Sequence, residues 1–583
     1  MSETLLSPGV FSLENDQSQI TQGPITVGAA LIGPTVLGPV NNPVVVTSYS
    51  DYKSKFGATF ISGGNSYEYL TSIAALNYFE QGGTSLLVTR VVTGSYTAAT
   101  ASVFTPSGTS SFKLATLSVG TVMNNYPTGG TSVLNSGSID NIRYEITAVN
   151  SGSGLFSLII RRGDDSNLNK TILESWTGLS LDPNQNNYIS YVIGDQTQTI
   201  VNDENSNPYL QYSGSYMNKS KYVRVTSVDL PTPNFFTSQG VISNNSYTAS
   251  IPQLGIGQAS GSFGGATGAL FGGGTSALKM FEGIPNESAT SANNNIQGLL
   301  NTDYDTAIKL LSNKTVYDFN IIYAPGLTSK NAPTQISNLL TLASSRGDCI
   351  AIIDMVGYGQ TISSVTSAAS SYDNSYGATY WPWLQVRSRE TGKLNFVPAS
   401  TLVPAVYEYN DKVSAEWFAP AGLNRGSLSI ALQPERKLSS SDRDALYQGK
   451  VNPIATFAGI GTVIYGQKTL QTKPSALDRV NVRRLLIALK RYIGNIGETL
   501  VFEPNTQVTR NKFLNQVNPY LDQVQQKQGL YAFQVVMDET NNTPDVIDRN
   551  QLVGTIYLQP TRTAEFIQLS FNILPTGATF TNQ

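Results

Sequence analysis

The chain has 583 residues, 40% hydrophobic, with 37 Lys+Arg against 40 Asp+Glu and a formal net charge of -3. That length allows several domains of ~100–200 residues each, and the apolar, aromatic-bearing composition with only 13% charged residues excludes both a disordered chain and a global nucleic-acid binder. The absence of histidine and the single cysteine remove the commonest general base, the commonest metal ligand, the Ser-His-Asp arrangement and any internal disulfide.

At the N-terminus, Ser7-Pro8-Gly9-Val10-Phe11-Ser12-Leu13-Glu14 reads as a short extended piece with no core of its own. No basic stretch leads into an apolar one, so no secretory signal is expected, and no run of ~18 apolar residues predicts a membrane span. The expected product is made in a cytoplasm and stays soluble or assembles there. Short strands are predicted over 25–33 and 44–47, punctuated by Gly-Pro steps. Residues 50–57 fit a short helix ending at glycine. A stronger helix is predicted over 67–79, where Leu70, Ile73, Ala74, Leu76, Asn77 and Phe79 are read as one stripe. A buried strand over 85–92 follows. From 94 to 295 the chain turns rich in Ser, Gly, Thr and Asn, with alternating runs at 143–149, 156–162 and 221–228 that predict strands. Gly255 to Ser276 is glycine-dense and reads as a flexible loop or disordered tip. The α/β pattern then resumes with a helix over 303–311, a strand over 319–326, a helix from Pro333 to about 345, and strands over 348–354 and 461–466. Strands alternating with helices predict a mixed sheet covered by helices.

The last hundred residues read as a basic amphipathic helix, a short strand, a second helix and three strands. The final stretch, 565–573, alternates apolar and polar residues. The fold class is therefore an α/β core with a β-rich inserted outer part and an α+β C-terminal domain. The expected division is an N-terminal arm over 1–21, the core over 22–94 and 296–475, the insertion over 95–295 with an internal boundary near 200, and the C-terminal domain over 476–583.

Few motifs carry chemistry. Cys349 opens an apolar run and reads as a buried, inert thiol rather than a nucleophile. Arg161-Arg162-Gly163-Asp164-Asp165 offers a carboxylate pair for a metal or glycosidase site. A polar turn with local ion pairing accounts for it better, because Gly and Asp form turns. Gly461 to Thr469 fails as a phosphate loop, since Gln467 separates Gly466 from Lys468 and the spacer is β-branched and aromatic. Tyr380-Trp381-Pro382-Trp383 could stack a sugar or base, but anchoring a domain corner or interface suits it better. In the helix over 478–494, Val482, Leu485, Leu486, Leu489 and Ile493 form one stripe. Arg479, Arg483, Arg484, Lys490 and Arg491 lie on an arc beside it. That arc is either a solvated basic face or an electrostatic dock for an acidic partner, and the second reading is preferred.

Several segments in order carry a resemblance: Ser7-Pro8-Gly9-Val10 with Glu14, Tyr78-Phe79-Glu80-Gln81-Gly82-Gly83, the Arg161 to Asp165 run, Leu181-Asp182-Pro183-Asn184, and Arg346-Gly347-Asp348-Cys349. They continue with Tyr380-Trp381-Pro382-Trp383, Ala419-Pro420-Ala421-Gly422, Asn452-Pro453-Ile454, Gly466-Gln467-Lys468-Thr469, Asn481-Val482-Arg483-Arg484 and Phe502-Glu503-Pro504-Asn505. Together they resemble the tail sheath proteins of contractile-tailed bacteriophages of the T-even type. The resemblance implies a structural subunit, not an enzyme, with no catalytic residue, cofactor or metal. It implies stacked six-membered rings around a tail tube, assembled in the host cytoplasm in a metastable extended state. Contraction would then drive the tube through the host envelope for genome delivery, the protein residing in the virion.

The implied partners are copies of the chain itself, the tail tube protein, and the baseplate and tail terminator proteins, with no direct nucleic-acid contact and no membrane insertion. By the same resemblance, residues 5–14 and 565–573 are donated strands, with Val10, Phe11, Leu13, Ile567, Leu569, Phe571 and Ile573 at inter-subunit contacts. The acceptor edge falls among 530–537 and 552–558, the hinges at 17–23 and 559–563. The helix bearing Arg479, Arg483, Arg484, Lys490 and Arg491 faces the tube. Two other classes stay open: a tail-associated glycosidase resting on an Asp/Glu pair, and a non-contractile surface or secretion-type sheath-like assembly protein.

Overall fold

The computed structural model describes residues 28–127, 133–236, 241–255, 261–271, 280–287 and 296–565. Its centre is an eight-stranded mixed sheet. In spatial order the strands are Val44–Val46, Leu86–Arg90, Ala29–Gly33, Ile321–Thr328, Ile350–Asp354, Gly377–Trp381, Asn452–Phe457 and Gly461–Ile464. The inner strands run parallel; the two outermost pair antiparallel with their neighbours. The three strands at one side precede residue 95 and the other five follow residue 320, so the sheet closes around everything between.

Parallel strands buried on both faces need apolar residues at every position. Ala29 and Leu31 contribute to one apolar layer, Ala30 and Ile32 to the other, and Ile350 and Ile352 divide from Ala351 and Ile353 in the same way. The helices Leu70–Glu80 and Val403–Val413 line the first layer; Asp305–Leu311, Pro333–Arg346 and Ile362–Ser370 line the second. Local chemistry sets the helix ends. Ser48 caps Tyr49–Phe56 by accepting from the Asp51 amide at 3.1 Å, and Gly57 closes it at φ 67°. Pro333 sits in the first turn of its helix, and Gly347, in the left-handed region at φ 73°, ends it.

The segment between the two halves of the sheet is β-rich. It forms three-stranded sheets from Ala98–Phe104, Ser110–Val119 and Val223–Val228, and from Ile142–Asn150, Leu155–Arg162 and Ile172–Ser180. A hairpin of Thr197–Asn202 and Pro208–Ser213 accompanies them. The two larger sheets meet through Phe112 and Phe156, whose rings stack at 5.5 Å. Ile200 pairs with Leu210 inside the hairpin, and Val223–Val228 returns to the first sheet. Of the glycine-dense stretch, residues 261–271 are tied down. Gly264 exchanges backbone hydrogen bonds with Thr100 at 2.8 and 2.9 Å, and Phe263 is buried. Polar composition there serves backbone pairing, which a reading of glycine content as flexibility overlooks.

Two buried groups on the sheet give tests. Trp381 and Trp383 are both buried, and Trp383 Nε1 donates to the Val356 carbonyl at 3.1 Å, so the aromatic cluster is a packing corner. Trp383→Ala is expected to cost about 3–5 kcal/mol, read from the urea midpoint; a loss under ~1 kcal/mol would remove it from the core. Asp354, at the end of its strand, is pushed up to about 7 by burial, although the Ser400 hydroxyl at 2.5 Å and amide at 3.1 Å draw it back. Between the ordinary carboxylate range and about 7 the folded chain keeps a proton that the unfolded chain has lost. Stability therefore falls as pH rises through that window, by up to about 1.4 kcal/mol per unit. Asp354→Asn should raise Tm at pH 8 and barely change it at pH 5; equal shifts at both would refute the assignment.

Candidate assembly interface

After the core sheet the chain forms two long helices, Val480–Glu498 and Gln507–Gln526, then strands Leu530–Val536 and Thr555–Pro560 with the short helix Pro544–Asp548 between them. No strand separates the two long helices. Residues 499–505 form a turn, and Thr506 caps the second helix through the Thr509 amide. The strand expected there fails because Leu500 alone packs inward, while Val501 and Phe502 stand in solvent. Leu485, Leu489, Phe513, Val517, Leu521, Val524, Leu530 and Met537 make a core separate from both layers of the main sheet.

The two strands pair antiparallel from Leu530 opposite Pro560 to Val536 opposite Thr555. Phe533, Val535, Ile556 and Leu558 lean on the helical core, whereas Tyr531 and Tyr557 are 64% and 59% exposed. Among the described residues this sheet has two strands, and both outer edges lack a partner. A two-stranded ribbon is marginal in water, and an open edge presents a row of unpaired N–H and C=O groups. The residues expected to be donated strands, Val10, Phe11, Leu13, Ile567, Leu569, Phe571 and Ile573, lie outside the described residues.

The basic helix departs from its expected arrangement. Arg484 is 2% exposed and donates from both terminal nitrogens to Asp411, at 2.8 and 2.5 Å, with its guanidinium 4.7 Å from the Tyr407 ring. Burial pulls its pKa down, but Asp411 and Glu416 more than offset this and hold it above the usual arginine value. Arg483 is buried over the Tyr376 ring at 3.9 Å and donates to Ser375. Arg491 pairs with Asp318, Lys490 donates to the Tyr376 hydroxyl at 3.1 Å, and Arg479 binds Glu565 at 2.7 and 3.0 Å. Arg483 and Arg484 are thus not on an open dock. The helix is packed on more than one side, and its cations meet carboxylates and rings of the α/β core. Of the five, Lys490 alone is exposed. Asp411 and Glu565, 73 and 86 residues away from their arginines, carry no sequence signal that would pair them. Beside Arg484, Glu408 is pushed up to about 7, by burial first and by Asp411 second.

The remaining motifs are structural. Asp165 accepts from Arg161 Nε and Nη2, each at 2.8 Å, and Arg161 also reaches Glu145 at 2.7 Å, so the Arg-Arg-Gly-Asp-Asp run is an ion-paired turn. The Cys349 thiol is fully buried, and burial pushes its pKa up. Among the described residues no three His, Cys, Asp or Glu side chains gather to hold a metal, and no helix is long and apolar enough to cross a membrane. The Gly466-Gln467-Lys468-Thr469 segment binds its own chain: the Lys468 amide donates to Asn452 at 2.6 Å and Lys468 Nζ stands 4.3 Å over Tyr447.

Comparison with known proteins meets this geometry. The family model described as the phage tail sheath protein central domain matches residues 297–470, and that of the phage tail sheath C-terminal domain matches 472–573. Over these residues the chain matches two domain models of phage tail sheath proteins. A tail sheath protein of Vibrio phage KVP40 is 42% identical over 185 residues, covering 32% of this chain and 28% of the relative. That of Enterobacteria phage T4 is 34% identical over 272 residues, 44% of this chain and 41% of the relative. The alignments span less than half the length of these curated relatives. The crystal structure of a sheath tail protein from Listeria innocua covers 92% of this chain and 95% of its own at TM-score 0.51 and 11% identity, a likeness of fold.

The buried pair, with Asp411 in one matched segment and Arg484 in the other, makes a direct test. Removing one partner leaves an uncompensated charge, so Arg484→Ala should lower subunit stability by about 3–5 kcal/mol in urea unfolding. Arg549, in an exposed pair with Asp545, should tolerate alanine within ~0.5 kcal/mol. Similar small effects at both sites would overturn the placement of Arg484.

Proposed function

We propose that this chain is the structural subunit of a contractile tail sheath, polymerising as stacked hexameric rings around a tail tube and contracting to drive the tube through a host envelope for genome delivery. The observation that carries the reading is the two-stranded sheet of Leu530–Val536 and Thr555–Pro560, open at both edges among the described residues, within the segment matched to the sheath C-terminal domain. A helical sleeve needs contacts that repeat without closing. Strands added to an open edge supply backbone hydrogen bonds, and flexible linkers then let rigid bodies move while the shared sheet stays whole.

On this reading residues 5–14 and 565–573 are donated to neighbouring copies, and the residues at 17–23 and 559–563 act as hinges. The partners are further copies, the tail tube, the baseplate and the tail terminator. The protein resides in the virion after assembly in the host cytoplasm, uses no cofactor and performs no catalysis. Charge contact with the tube falls to Lys490, the one exposed cation of the five.

Deleting residues 1–20 should leave the monomer folded by circular dichroism and abolish extended sleeves in electron micrographs. Full-length sleeves from the truncated chain would end the strand-exchange reading.

A further inference from the structure

The last described residue, Glu565, is held on its own subunit by four side-chain contacts. Arg479 donates Nε to Oε1 at 2.7 Å and Nη2 to Oε2 at 3.0 Å, the Tyr447 hydroxyl donates to Oε2 at 2.8 Å, and Gln467 Nε2 donates to Oε1 at 3.1 Å. Gln467 also donates to the Thr563 hydroxyl. Arg479 pairs in addition with Asp478 at 3.0 Å and lies 5.8 Å from the Tyr447 ring. Tyr447 and Gln467 belong to the α/β body, whereas Thr561, four residues before Glu565, is still bound to the Gln528 and Gly529 carbonyls beside the open hairpin. Between Thr561 and Glu565 the chain therefore leaves the hairpin and is fastened to a different body. A bidentate guanidinium–carboxylate pair fixes direction as well as distance, and two further neutral donors complete the carboxylate's shell.

We propose that Glu565 is the pivot of the C-terminal segment: it anchors the exit point of residues 566–583 to the subunit's own α/β body. Load on a strand donated beyond it is then borne by that body and not by the two-stranded hairpin. This rests on the strand-exchange reading and adds a boundary to it: residue 565 stays with the donor, and donation begins after it. The linker is tied at Thr561 and at Glu565, and Gln467 holds Thr563 between them. Burial raises the Glu565 pKa, but Arg479, Tyr447 and Gln467 outweigh it and leave the carboxyl below its ordinary value. The charged clamp therefore persists at neutral pH.

The test uses the full-length chain. In Glu565→Gln, amide hydrogen exchange of residues 561–565 should accelerate by at least about tenfold while the Leu530–Val536 strand keeps its protection. Sheath polymers of that variant should lose their helical layer lines in electron micrographs or stop short. Tyr447→Phe should give a smaller change of the same kind, and Glu565→Arg combined with Arg479→Glu should restore protection and order. Unchanged exchange at 561–565, or polymers of wild-type order from Glu565→Gln, would overturn the pivot. Deletion of 566–583 separates the two ideas. Normal polymers from the deletion defeat strand donation and the pivot together; loss of polymers on deletion, with normal polymers from Glu565→Gln, defeats the pivot alone.

Discussion

The contact between Arg484 and Asp411 joins the two parts of this molecule that matter most to each other. Asp411 lies on a helix lining one face of the large sheet, and Arg484 on the first helix of the C-terminal region. A guanidinium removed from water is costly unless its charge and donors are met. Here a bidentate carboxylate, the Tyr407 ring and nearby Glu416 meet them. With that end of the helix locked to the core, its other face is free to carry the separate apolar core on which the open hairpin rests.

The hairpin is the opposite case. Its hydrophobic residues reach only a small core, and its outer edges have no strand partner among the described residues. A rigid sheet buried on both faces thus supports a ribbon of two strands, and on the proposed reading a neighbouring chain completes it. Some charges are paired within the subunit, Arg161 with Asp165 between the two halves of the sheet and Arg346 with Asp348 in the core. Even in a cleft of about 1040 Å³ between core and insertion, Lys53 and Arg162 are paired with Glu390 and Asp164. With only 13% of its residues charged, the chain offers a polar, weakly charged surface.

Much of this was legible in the chain. Runs such as Ile350-Ala351-Ile352-Ile353 announce a strand buried on both sides, because only an apolar residue at every position fits between two layers. The helix ends at Gly57 and Gly347 follow from the conformational freedom of glycine. The stripe of Val482, Leu485 and Leu489 was visible because helical periodicity is local. The fate of the arginines beside that stripe was not. A helical wheel arranges one helix in solvent and cannot show that Tyr376, Asp411 and Asp318 close over its other side. The same blindness made a short strand of residues that form a turn at 499–505, and loose loop of the backbone-paired residues near Gly264.

The sequence by itself determined where apolar faces form, where helices stop and which chemistries are missing, since composition and neighbours within a few residues set these. Only the tertiary structure decided which charge meets which, and which strand edge stays open. Those depend on groups brought together from 73 to 98 residues apart, such as Arg484 with Asp411 and Glu565 with Gln467. Partners at that distance are chosen by the packing of whole layers, and no local pattern encodes it.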